Sequence, residues 1–98
     1  MYTHVVCWNF KDEVEEEDKP ALKAAMKENF ATLPGKVPGL LSVTFVDEPL
    51  PGSTREIGLV TTHEKMEDIA AYGKHPAHVA VADKYVRPYT KDRACLNF

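Results

Sequence analysis

Residues 72–88, Tyr72-Gly-Lys-His75-Pro76-Ala77-His78-Val-Ala-Val-Ala-Asp83-Lys-Tyr85-Val86-Arg87-Pro88, organise the chain. They hold two of its four histidines and two of its four tyrosines. Pro76 has no backbone N–H, so it suits the first turn of a helix and is costly in the middle of one. The stretch therefore reads as two helical segments that meet at Pro76. Tyr72 lies near the end of the first and His78 in the opening turn of the second. Such a kink can aim both side chains into one space. His75, just before the proline, reads as a cap for the second segment. Val86-Arg87-Pro88 ends it, because the residue before a proline is biased out of helix.

Outward from this stretch, the chain alternates strand and helix patterns. Tyr2–Phe10 alternates and is rich in Val and aromatics, with His4, Val6, Trp8 and Phe10 on one face and Val5 and Cys7 on the other. Pro20 opens a helix whose stripe is Leu22, Ala25, Met26, Phe30 and Leu33. Leu33-Pro-Gly-Lys-Val-Pro-Gly39 stops it. Leu40–Val46 is a second strand, with Leu41, Val43 and Phe45 on one face against Leu40, Thr44 and Val46. Residues 57–62 are a third, followed by a helix with the stripe Met66, Ile69, Ala70 and Gly73. Residues 90–98 are the last strand, with Ala94, Leu96 and Phe98 opposite Cys95. The order β-α-β-β-α-β predicts one α+β domain over residues 1–98. Its form is the ferredoxin-like four-stranded antiparallel sheet with its helices on one face. Apolar residues on the other face call for a cover, and a second copy packed sheet to sheet is the simplest one.

Composition excludes several classes. The 98 residues are 44% hydrophobic and 28% charged, with a formal net charge of -3. No basic stripe suggests nucleic acid. No apolar run reaches a membrane span, and no signal-peptide pattern opens the chain, so a cytoplasmic setting is expected. Residues 12–18 carry six acids in seven positions and read as a solvated loop into a helix start, without the spacing or glycine of a calcium loop. Cys7 and Cys95 lie on strands that should be neighbours, and buried free thiols are expected over a bridge. His63 falls where the third strand meets the second helix and is given no role. His4, His75 and His78 have no zinc-ligand spacing.

His4-Val-Val, Phe10-Lys-Asp12, Leu33-Pro-Gly-Lys-Val-Pro-Gly39, Tyr72, His75-Pro-Ala-His-Val79 and Val86-Arg-Pro88 together resemble the stress-responsive alpha/beta-barrel (Dabb) family. The resemblance implies a homodimeric α+β barrel with a cavity between sheet and helices in each protomer. One branch of that family comprises plant polyketide cyclases, which need no cofactor. There the residues matching His78 and Tyr72 act on the substrate, the His as base and the Tyr as a holding group, and the one matching His4 lines the cavity. A His near neutral pKa can take a proton alpha to a carbonyl, and a Tyr hydroxyl can donate to the enolate. Val6, Trp8, Met26, Phe30, Leu59 and Tyr85 are the candidate walls, and the bulk of Trp8 argues against a long substrate. Some relatives hold a structural magnesium ion at the turn after the first helix; by position the carbonyls of Phe30, Leu33 and Lys36 would be its ligands here. Three functions are compatible: a small-molecule-binding dimer with cofactor-free cyclase, isomerase or lyase chemistry; a non-catalytic stress protein; and a cofactor-free oxygenase like the antibiotic-biosynthesis monooxygenases.

Overall fold

The computed structural model describes every residue from Met1 to Phe98. Strands β1 (Tyr2–Phe10), β2 (Leu40–Val46), β3 (Ile57–His63) and β4 (Thr90–Asn97) form one antiparallel sheet in the order β2-β3-β1-β4. Helices α1 (Lys19–Phe30), α2 (Met66–Lys74) and α3 (Pro76–Val81) complete the ferredoxin-like α+β arrangement. A short 3-10 turn, Glu16–Asp18, precedes α1, and one π turn, Ala82–Val86, follows α3. No helix is long and apolar enough to cross a membrane.

The core lies between the sheet and the helices. Val6, Trp8 and Phe10 of β1, Ile57 and Leu59 of β3, and Met26 and Phe30 of α1 form its centre. Leu33 and Val37 extend it into the turn after α1. Alternation and the 3.6-residue period therefore place β1 and α1 as expected. On α2 the buried residue is Tyr72, while Met66 is 64% exposed and Ala70 and Gly73 are also exposed, so the expected stripe is rotated.

Two bulges change the phase of strands. On β2, Leu40 pairs with His63 and Ser42 with Thr62, which leaves Leu41 as the extra residue. Leu40 thus joins Val43 and Phe45 on the core side and Leu41 turns outward, against the expected split. On β4, Cys7 pairs with Ala94 but Asn9 pairs with Lys91, so Asp92 and Arg93 together oppose Trp8. Asp92 takes a left-handed φ of 56°. Its carbonyl accepts from Arg55 Nε at 2.7 Å and its carboxylate from Asn9 Nδ2 at 3.1 Å, which hold that costly conformation. The two cysteines are free and lie on opposite faces of the sheet, since Cys95 is opposite Val6 and not Cys7. Cys7 is half-buried and Cys95 is exposed, so burial does not hold for the second thiol. The acidic segment is solvated. Asp12 pairs with Lys91 at 2.5 Å, and Lys19 joins Glu16 and Glu56.

Gly39 has φ +81°, and an added Cβ would lie 2.8 Å from Asp68 Cβ and closer still to its carboxylate. That carboxylate accepts from Lys65 N at 3.0 Å and caps α2. Gly39→Ala is expected to cost about 2 kcal/mol or more, combining backbone strain with loss of the cap. Gly35→Ala, at φ +89° in open space, should cost about 1 kcal/mol. Urea denaturation of both variants checks the difference. His63 is fully buried, and burial first, then the charge of His4, lowers its pKa from 6.5. The folded chain keeps His63 neutral while the unfolded chain takes up a proton below about 6.5, so stability falls as pH drops through that value. Thermal melts should show this slope, and His63→Asn should flatten it; identical slopes would remove His63 from the cause.

Candidate functional site

The break at Pro76 builds the site. In an unbroken helix the Tyr72 and Gly73 carbonyls would accept from residues 76 and 77. Residue 76 has no N–H to give, and Tyr72 O takes the His75 N–H instead, at 3.1 Å. Ala77 N–H turns to His75 Nδ1 at 3.1 Å, so His75 is the N-cap of α3, as its position before the proline predicts. Gly73 O is thereby left open, and His78 Nδ1 lies 3.1 Å from it. A carbonyl only accepts, so Nδ1 carries the hydrogen and Nε2 keeps the lone pair. Burial first lowers the His78 pKa from 6.5; the Gly73 bond opposes this, and the charges of Arg87, His4 and Arg93 add to it. The imidazole is held neutral in the tautomer that a base needs.

Three further rings surround His78. Its centroid is 4.3 Å from that of Tyr72. Tyr72 is 5.3 Å from His63 and 6.1 Å from His4, both edge to face. His4 Nδ1 donates to Asn97 Oδ1 at 2.6 Å, and Cys95 Sγ lies 3.5 Å from the same nitrogen. His63 Nε2 is 2.8 Å from Thr61 Oγ1. Tyr72 Oη and His63 Nδ1 are the buried side-chain polar atoms with no partner, and both belong to this cluster. Burial raises the Tyr72 pKa far above its ordinary value of 10.0, so the phenol stays protonated as a donor.

A cavity of about 300 Å³ opens beside these rings. Of the residues singled out from sequence, His78, Tyr72, His4, Val6, Trp8, Phe30 and Leu59 line it. Met26 and Tyr85 do not. Met26 is sealed in the packed centre beneath α1. Tyr85 is carried by the π turn into a separate groove beside Leu33 and Lys36. Eight residues that sequence reasoning did not place here also line it, among them the polar Arg87, Arg93, Cys95 and Asn97, and His63 backs it. His63 shares the parity of Ile57, Leu59 and Thr61, and that was its one signal in the sequence.

The carbonyls of the turn after α1 are partly engaged within the chain. Phe30 O accepts from Leu33 N at 3.1 Å. Leu33 O accepts from both Lys36 N at 2.9 Å and Val37 N at 3.1 Å, which uses both of its lone pairs. Of the carbonyls expected as cation ligands, Leu33 O is thus fully engaged, Phe30 O accepts one bond and Lys36 O accepts none from the backbone.

Solved structures share this frame. A dimeric protein of unknown function with a ferredoxin-like fold from Bacteroides fragilis is 28% identical, with a TM-score of 0.86 over 99% of this chain and 93% of its own. A dimeric ferredoxin-like protein of unknown function from Thermobifida fusca is 21% identical, with a TM-score of 0.73 over 99% of this chain and 88% of its own. A hydroxynitrile lyase from Passiflora edulis is 13% identical, with a TM-score of 0.69 over 99% of this chain and 90% of its own. At these last two identities the likeness is one of fold alone. No curated protein matches by sequence. The family model described as Stress Responsive A/B Barrel Domain matches residues 2–98, and the chain belongs to that family.

Proposed function

We propose that this protein is a homodimer that binds a small carbonyl compound in the cavity and moves a proton on it without a cofactor, as a cyclase, isomerase or lyase would. The observation that carries this is the Gly73–His78 bond, which leaves an imidazole lone pair on a wall of a cavity. In the proposed step His78 Nε2 takes a proton from the carbon alpha to the carbonyl. The electron pair moves to the carbonyl oxygen, and the Tyr72 hydroxyl, protonated and without a partner, donates to that oxygen. The proton on His78 then returns to the carbon framework or to a leaving group. That a protein of this fold is a hydroxynitrile lyase supports the frame as compatible with such chemistry.

The dimer reading rests on the open face. Val5, Cys7, Val46, Gly58 and Val60 line a shallow depression of about 220 Å³ there, and Leu96 is 65% exposed. Related proteins of this fold are dimeric. Sedimentation should give twice the chain mass, and Leu96→Asp should shift it toward the monomer; a monomeric wild type would refute the dimer.

The chemistry is tested by NMR with small β-keto and phenolic compounds. His78 should titrate below 6.5 and shift on ligand addition. Alpha-proton exchange of a bound β-keto compound in D2O should be enhanced, and His78→Asn should cut that enhancement by about 10²-fold or more. Tyr72→Phe should leave stability unchanged or raise it by about 1 kcal/mol, because the lost hydroxyl has no partner, while exchange slows. A His78 that neither titrates nor responds to any ligand would make the Tyr72–His78 pair a packing device and the protein non-catalytic.

A further inference from the structure

We infer that the ligand carries a carboxylate, seated between Arg93 and Arg87 at the edge of the cavity, with its apolar body against Trp8, Phe30 and Val86. The inference rests on the cavity being a ligand site, as proposed above. Two irregularities of the backbone deliver the two arginines. The Asp92–Arg93 bulge shifts the phase of β4, so that Thr90 before it and Arg93, Cys95 and Asn97 after it all face the helix side. The π turn bonds Arg87 N–H to Ala82 O at 2.8 Å, five residues back, and so places Arg87 in line with Ala82 and His78. Bulges of both kinds re-aim side chains next to binding sites.

Charge points the same way. The chain has 15 acids against 12 basic residues, yet the cavity wall holds two arginines and no Asp or Glu. Arg87 is paired with Asp83 on its own helical turn. Arg93 takes part in no ion pair and no side-chain hydrogen bond, so its planar fork is free for a bidentate carboxylate. An anion there would also offset the two guanidinium charges that disfavour protonation of His78, which a neutral ligand would not.

Benzoate and its neutral isostere benzamide are the probes, titrated into the wild type and Arg93→Met and followed by chemical-shift changes at His78 and Trp8. Arg93 is exposed and unbonded, so the variant should keep the wild-type fold, with His78 titrating somewhat higher because one neighbouring cation is gone. Benzoate is expected to bind about tenfold or more tightly than benzamide, and Arg93→Met to remove that preference while leaving benzamide unchanged; Arg93→Lys should restore part of it. Equal binding of the two compounds by the wild type, or an unchanged preference in Arg93→Met, overturns the carboxylate while leaving the cavity as a ligand site. Binding of neither compound at millimolar concentration overturns both.

Discussion

One missing hydrogen sets the arrangement of the site. Because the nitrogen of Pro76 cannot donate, the helix that would have run from Met66 to Val81 divides, and three acceptors are reassigned within one turn. Tyr72 O takes the amide of His75, His75 Nδ1 takes the amide of Ala77, and Gly73 O is left for His78. Each bond is ordinary in length. Together they decide which nitrogen of His78 carries its hydrogen, and they set His78 against Tyr72 at a tilt of 45°. A local backbone rule thus specifies the protonation pattern of a side chain that lines the cavity.

The cluster around that pair departs from what a packed core would choose. Four titratable rings share one region, and two of their polar atoms go without partners. An unpartnered buried polar atom costs roughly 1–3 kcal/mol, which apolar residues of similar shape would avoid. The rest of the core, built from Val6, Phe10, Met26, Phe30, Ile57 and Leu59, carries no such defect. Unsatisfied groups gathered at one place, beside a cavity, fit a site that a ligand completes.

Much of this was legible in the chain. Alternation marked Tyr2–Phe10 with its core face, helical spacing marked Met26 and Phe30, and Pro76 marked the break with His75 as its cap. Three one-residue insertions were not legible: Leu41 on β2, Asp92 on β4 and the π turn at Ala82–Val86. Such a residue leaves no mark in local composition, because neighbouring strands and helices decide where the extra residue is spent. Each one shifts the phase of the residues beyond it. That shift accounts for the misplaced side chains: Leu40 and Leu41 exchange sides, Tyr85 turns away from the cavity, and Arg87 and Arg93 turn toward it. Met26 has a different cause, since periodicity identifies the buried face of a helix without saying which of its residues borders a void.

The bulge at Asp92 makes the end of the chain depend on pairing register as well as on composition. Beyond it, β4 has a more polar side, with Arg93, Cys95 and Asn97, and an apolar side, with Ala94 and Leu96. Pair the strand without the bulge, with every residue kept, and every later side chain changes sides, although no letter of the sequence has changed. Leu96 would enter the cavity and Arg93 would face outward. The lining of the cavity and the apolar character of the opposite face thus depend together on where one extra residue is spent.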